Sequence, residues 1–290
     1  MSEQVQWDRR SVMKAAGAGA IAALSGPLVR GRASVETSLN SNIKQSVCRW
    51  CYGDVPLEKL AAEAKRIGYR SIELVTPAEY PTVKHAGLTC AMLSGACTIP
   101  DGFNERKNHE RLEKSTREHI EFAADNGLPN VIVFSGNRRG MSDDEGLANC
   151  AESLKRLMSF AEEKKVTVCM ELLNSKVNHA DYMCDHSPWG VELVKRIGSP
   201  RFKLLYDIYH MQIMEGDVIR TIQENKDSIG HYHTGGNPGR HEIDETQELY
   251  YPAIVKAILD TGYEGYLGQE FVPSRDPLTS LAQGFKICDV

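Results

Sequence analysis

From residue 43 onward, short apolar or β-branched runs alternate with longer amphipathic ones, and this alternation predicts an α/β chain closed into a (β/α)8 barrel. Two further observations agree. Four amphipathic segments end at a glycine, in Ile67-Gly68-Tyr69, Asn126-Gly127-Leu128, Ile197-Gly198-Ser199 and Thr261-Gly262-Tyr263, as left-handed helix caps require. The turn after the first strand, Cys51-Tyr52-Gly53-Asp54-Val55-Pro56, is not the glycine-rich phosphate loop that a doubly wound sheet would place there. Eight strands and about eight helices in ~250 residues is the count of such a barrel.

The elements follow in order. Lys44 to Arg49 is the first strand, helix Leu57 to Ile67 comes next, and Ser71 to Val75 is the second strand. The third strand, Thr89 to Ser94, holds Cys90 in an apolar run. Helix Arg106 to Asn126 leads to the fourth strand, Asn130 to Phe134, and helix Glu145 to Lys164 to the fifth, Thr167 to Leu172, which contains Cys169. Helix Pro188 to Ile197 precedes the sixth strand, Phe202 to Asp207. Helix Ile213 to Glu224 precedes the seventh, Ser228 to His233. Helix Tyr251 to Asp260 precedes the eighth, Gly265 to Glu270, and Leu278 to Ile287 closes the chain. No linker, low-complexity tract or second domain interrupts residues 43–290.

The first 33 residues read differently. Asp8-Arg9-Arg10-Ser11-Val12-Met13-Lys14 is followed by an uncharged, small-residue stretch from Ala15 to Val29, the layout of a charged region before an apolar one in an export signal. The arginine pair makes it resemble a twin-arginine signal, which implies the export machinery as a partner and a periplasmic or exported destination. The apolar run is shorter than the ~20 residues of a membrane span. Gly31-Arg32-Ala33 offers a small-residue cleavage site with an atypical arginine before the cut. The 290-residue chain carries a formal charge of −5, and removal of residues 1–33 would leave −8. Nucleic acid and anionic membranes usually select a basic surface, so neither is an expected partner.

The eight cysteines do not settle a redox class. Cys48-Arg49-Trp50-Cys51 is a C-x-x-C, but a zinc ribbon needs a second such pair, so two thiols at a strand end is the default reading.

The chemistry lies at the strand ends, because catalytic groups of these barrels occupy the C-terminal mouth. The last four strands each end near a metal-ligand side chain: Glu171, Asp207, His233 and Glu270. Three carboxylates converging without a cation would repel strongly in a solvent-poor site. A divalent metal resolves the conflict, and three oxygens with one imidazole suit Mg²⁺ or Mn²⁺ better than a thiolate-loving ion. Arg240 offers a planar fork for a substrate carboxylate, or is a surface-loop cation. Glu73, near the end of the second strand, binds substrate hydroxyls or pairs with Lys or Arg. His231, two residues before His233, reads as core or as support for a ligand rather than a ligand itself. Trp50 and Trp189 wall a pocket or pack, His186 touches substrate or water, and Asn174 orients a ligand.

These residues carry a resemblance. Glu171-Leu172-Leu173-Asn174, Asp207-Ile208-Tyr209-His210-Met211-Gln212, and His231-Tyr232-His233 with Asn237-Pro238-Gly239-Arg240 resemble the xylose isomerase-like barrel superfamily, in particular its hydroxypyruvate isomerases and the related ketose 3-epimerases. The resemblance spans roughly residues 43–290. It implies a metal-dependent isomerase, with Glu171, Asp207, His233 and Glu270 as ligands, Glu171 and Glu270 also as the acid/base pair, and His210 and Arg240 as substrate contacts. In hydroxypyruvate isomerases the position of His233 is often glutamine, and histidine there is the epimerase pattern. Hydroxypyruvate conversion to tartronate semialdehyde is the first reading. Epimerisation or isomerisation of oxidised sugars is the second, and an exported sugar-acid binding protein the non-enzymatic one. Endonuclease IV barrels share the architecture, but they carry more histidines at the strand ends and bind an anion that an acidic surface repels. A homo-oligomer is compatible with all of these.

Overall fold

The computed structural model describes residues 39–95 and 97–290; the export-signal reading of residues 1–33 lies outside the described residues. The described chain is a barrel of parallel strands with helices outside. Seven strands form one sheet: β1 (Lys44–Cys48), β2 (Ser71–Glu73), β3 (Asn130–Val133), β4 (Thr167–Leu172), β5 (Phe202–Asp207), β6 (Ile229–Thr234) and β7 (Tyr266–Gln269), in the spatial order β2-β1-β7-β6-β5-β4-β3.

The remaining gap, between β2 and β3, is filled by the segment expected as the third strand. It makes bridges rather than a regular ladder, Thr89 against Ser71 and Leu93 against Val131. Backbone bonds still run to both sides, Leu74 N to Met92 O at 2.7 Å and Leu93 N to Asn130 O at 2.9 Å. Side chains take the missing ladder positions. Ala91 N donates to Ser71 Oγ, and Asn130 Nδ2 donates to Ala91 O, so the backbone bends away from ideal pairing while its polar groups stay satisfied.

The helices are α1 (Leu57–Ile67), α2 (Tyr80–His85), α3 (His109–Asp125), α4 (Asp143–Lys164), α5 (Ser187–Ile197), α6 (Ile208–Met214), α7 (Val218–Glu224), α8 (Tyr251–Asp260) and α9 (Pro277–Cys288). The four glycines expected to end helices all have positive φ. One expected helix, Ile213 to Glu224, is instead two. Gly216 and Asp217 adopt φ of 67° and 44° and break it, and α6 starts earlier, directly after β5, because the Asp207 side chain caps it by accepting from His210 N. The short α2 was not anticipated.

Successive strand residues face opposite ways, so Cys169 and Glu171, Leu205 and Asp207, and His231 and His233 line the same, inner side. Met92, Ile132, Cys169 and Leu205 form a separate buried cluster within the barrel, distinct from the large core between strands and helices. The other half of the interior is polar, with Ser46, Ser71, Glu73 and His231 all buried. This asymmetry puts a supporting polar layer beneath the mouth.

Candidate metal centre and active site

Glu171 near the end of β4, Asp207 at the end of β5, His233 in β6 and Glu270 just after β7 come together at the mouth. One donor atom from each lies within 4.8 Å of all the others, and all four residues are buried. Neighbouring registers account for this: Asp207 pairs with His233 and His233 with Gly268, so consecutive strands deliver their donors at nearly one level. Donors that share one hard ion stand ~2.0–2.6 Å from it, so separations below ~5 Å are what a single cation requires.

The donor set fits a cation on a second count. Glu171 Oε1 and His233 Nδ1 are buried and make no hydrogen bond, an arrangement that costs free energy unless something else occupies them. His233 Nδ1 lies 2.5 Å from Glu270 Oε2 and 3.5 Å from Glu171 Oε1. Burial pushes the Glu171 carboxyl up and lifts Asp207 to about 8, in each case against opposing charges. Burial also pushes Glu270 up, but Arg240 and His233 outweigh it and hold that carboxyl well below the usual range. The cluster thus has more carboxylates than Arg240 and His233 can neutralise, an imbalance that a divalent cation would correct.

Support for His233 comes from across the barrel. Its Nε2 is 2.7 Å from Glu73 Oε1, and the same oxygen is 2.8 Å from His231 Nε2. A carboxylate on one ring nitrogen fixes the tautomer and turns the other nitrogen toward the centre. Gly268 on β7 permits this contact, since a Cβ there would stand 2.6 Å from Glu73 Oε1 and 2.7 Å from His233 Cδ2. Cys48 Sγ lies 3.7 Å from Glu73 Oε1 and 3.8 Å from His233 Nε2. All eight cysteines are free and buried, and burial pushes the Cys48 and Cys51 thiols well up, so neither is a ready thiolate.

Above the four donors opens a cavity bordered by Glu171, Glu270, Arg240, Trp50 and His179. Trp50 Nε1 donates to Glu270 Oε1 at 2.6 Å. His179, which sequence reasoning passed over, sits in the loop after β4; that loop holds two histidines, and no local signal separates it from His186. The ring of His186 is turned to Asp185, itself clasped by Arg138 through both carboxylate oxygens. Trp189 donates to Asp143 O and does not border this cavity.

Two residues expected to meet substrate stand behind the cavity wall. Glu73 is fully buried against the two histidines. His210 is fully buried as well, with Nε2 2.8 Å from Arg240 Nη1 and Nδ1 accepting from Asn174 N at 3.1 Å. Burial, reinforced by Arg240, holds its pKa well below the usual value, so the ring is neutral. Asn174 therefore orients His210. Arg240 does border the cavity, but its fork is not presented to a ligand. Nη2 donates to Asp207 Oδ2 at 2.8 Å and to Glu270 Oε2 at 2.7 Å, and the guanidinium packs 5.3 Å from the ring centres of Trp50 and Tyr209. The residue holds this position with a φ of 60°, a left-handed conformation unfavourable for a side chain of this size.

Known proteins resemble this chain in sequence and in fold. A family model described as xylose isomerase-like TIM barrel matches residues 61–288. A human protein named putative hydroxypyruvate isomerase is 26% identical over 255 residues, which cover 86% of this chain and 87% of that protein. A 2-oxo-tetronate isomerase from Cupriavidus necator is 28% identical over 232 residues, 75% of this chain and 87% of its own. Among solved structures, a family 2 AP endonuclease from Brucella melitensis aligns with a TM-score of 0.74 at 22% identity, covering 83% of this chain and 98% of its own, a likeness of fold.

Proposed function

Because the chain belongs to the xylose isomerase-like TIM barrel family, we propose that it moves a proton between adjacent carbons of an α-hydroxy carbonyl compound, a sugar or hydroxy-keto acid, through an enediolate. The protein is an enzyme of the isomerase class, the class its relatives are named for. Conversion of hydroxypyruvate to tartronate semialdehyde is the reaction we put first. The observation that carries the reading is that Glu171 and Glu270 belong at once to the four-residue donor cluster and to the cavity wall.

A divalent cation such as Mg²⁺ or Mn²⁺, held by Glu171, Asp207, His233 and Glu270, would stabilise the oxyanion charge that develops on the enediolate. Glu171 and Glu270 act as the acid/base pair, one removing the proton from carbon and the other returning it to the neighbouring carbon or oxygen. The indole N–H of Trp50 positions Glu270 Oε1 for this, while Glu73 and His231 hold the imidazole of His233 from behind. Asp207 Oδ2 accepts from Arg240 Nη2. We further propose that the chain is exported through the twin-arginine route.

Proton exchange tests the reading. Metal-loaded protein in D₂O is expected to place deuterium next to the carbonyl of hydroxypyruvate or of a ketose, and chelator is expected to stop it. Glu270→Gln is expected to fold normally and to lower exchange by ~10²–10⁴-fold, the usual worth of a positioned general acid/base; wild-type turnover in that variant would refute the assignment. Epimerisation of a ketose at its third carbon, favoured by histidine at position 233, would appear in the same spectra as a diastereomer. Metal binding with no exchange of any compound would leave a binding protein.

A further inference from the structure

Isomerisation relocates a proton on oxygen as well as one on carbon. In hydroxypyruvate a base takes a proton from the hydroxymethyl carbon, the C–H electron pair becomes a carbon–carbon double bond, and the carbonyl pair moves onto its oxygen. The enediolate then still carries its hydroxyl proton on the hydroxymethyl oxygen. To give tartronate semialdehyde that proton must pass to the former carbonyl oxygen. The electron pair it leaves behind forms the new C=O bond, and the double-bond pair takes a proton at the neighbouring carbon. No oxidant or reductant is consumed. Direct transfer between two adjacent oxygens is bent far from the near-linear path that hydrogen bonds prefer. Glu171 and Glu270 account for the proton on carbon, so the proton on oxygen needs its own carrier. Epimerisation needs none, because every hydroxyl proton ends where it began.

Among the described residues that border the cavity, one group suits that task. Burial pushes the Arg240 guanidinium down, but Glu270 and Asp207 outweigh it and raise its pKa, so it stays protonated and takes no proton. The Trp50 N–H is engaged by Glu270. Burial pushes the Cys97 thiol up to about 11, and its sulfur accepts from Phe134 N. His179 differs from these. Its ring borders the cavity, the residue is half-buried, and among the described residues no protein group hydrogen-bonds to the imidazole. The other histidines around the mouth, His186, His210, His231 and His233, are each tied to a partner. Burial and Arg240 lower the His179 pKa against the pull of Glu270, which keeps the ring neutral. A neutral imidazole accepts a proton on one nitrogen and carries one on the other.

The loop after β4 fixes where that ring stands. His179 N donates to Asn174 O at 3.1 Å, and Tyr182 N donates to His179 O at 3.0 Å. Asn174 Oδ1 accepts from Val177 N at 3.0 Å and Asn178 N at 2.9 Å, and the His179 ring centre lies 5.2 Å from that of the buried His210. We propose that His179 is a third catalytic group, which takes the proton from the hydroxymethyl oxygen of the enediolate and gives it to the former carbonyl oxygen, while Glu171 and Glu270 serve the carbons. The ring is imidazolium in passing and ends as it began. The inference rests on the isomerase reading and adds a group to the same site.

The test reads the two protons separately. The metal-loaded full chain is incubated with hydroxypyruvate in D₂O, and NMR follows both the product and the deuterium at the hydroxymethyl carbon of the substrate that remains. His179→Gln is expected to lower conversion by ~10²-fold or more, the worth of a positioned acid/base, while exchange into remaining substrate stays within about threefold of wild type. His179→Ala is expected to show the same split and to regain conversion when free imidazole is added, a rescue that a merely structural role would not give. Mn²⁺ affinity is expected to match wild type in both variants, because the four donors are untouched. Exchange and conversion falling in parallel, or conversion unchanged, would overturn this inference and leave the isomerase reading standing. So would a wild type that epimerises ketoses and converts no compound to its isomer, because that reaction moves no proton between oxygens. Exchange with neither hydroxypyruvate nor a ketose by wild type that binds Mn²⁺ would overturn both.

Discussion

Glu73 bears on His233, a member of the donor cluster, without reaching the cavity. Its Oε1 accepts from both His231 and His233, and those two imidazoles outweigh the upward push of burial to hold its carboxyl far below the ordinary range. With Nε2 engaged, His233 presents Nδ1 to Glu171 and Glu270, the orientation a metal ligand needs. Glu73→Gln keeps the size and removes the charge, so Mn²⁺ affinity measured by calorimetry is expected to fall ~10–100-fold. Unchanged affinity would show that the contact is packing alone. Arg240 and His210 are coupled at the same scale. His210 Nδ1 lies 3.1 Å from Asn174 N and Nε2 lies 2.8 Å from Arg240 Nη1, so the neutral ring links Asn174 to the guanidinium. In the sequence, Glu73 and Arg240 were visible as charged residues near the mouth, but their partners were not.

At the scale of elements, the mouth depends on how loops are tied. Glu242, two residues after Arg240, accepts from Ser274 N and Oγ, Arg275 N and Ser280 Oγ, joining the loop after β6 to the loop after β7 and to the start of α9. Burial pushes its carboxyl up, yet the hydroxyls of Ser274 and Ser280 outweigh it and hold the pKa at about 2, below the ~4.3 of a free glutamate. A lowered folded-state value means the stabilisation is complete above ~4.3 and is lost as pH falls toward 2. Thermal melts of wild type and Glu242→Gln are therefore expected to differ at pH 7 and to converge as pH drops through that window. A constant difference would mean the ionised form contributes nothing. The expected third strand and the expected helix Ile213 to Glu224 failed for a related reason. Residues 89–94 have a strand's composition, yet Ser71 and Asn130 side chains take over part of their pairing, and the second segment was split by Gly216 and by capping from Asp207. Both depend on partners that local periodicity does not contain.

For the whole molecule, the barrel divides into an apolar half under β3 to β5 and a polar half under β1, β2 and β6, and the candidate site lies above their junction. The export proposal also belongs to the whole chain. Arg9→Lys together with Arg10→Lys is expected to hold the protein in the cytoplasm, as fractionation would show, and undiminished export would remove the twin-arginine reading. Fold class, the order of most elements and the convergence of Glu171, Asp207, His233 and Glu270 at the mouth were legible from residues alone. They follow from short-range rules: alternation sets a strand's faces, glycine ends helices, and the last inward residue of each strand falls at the mouth. Which groups stand behind those donors was not legible. Glu73 meets His233 across 160 residues of sequence and Arg240 meets Asp207 across 33, and the first contact further requires that Gly268 lack a side chain. Such contacts depend on strand register and loop path, which only the closed barrel supplies. The apolar part of the cavity lining arises in the same way, because Leu74, Ile99, Ile132 and Phe134 become one surface only when β2, the bridging segment and β3 stand side by side.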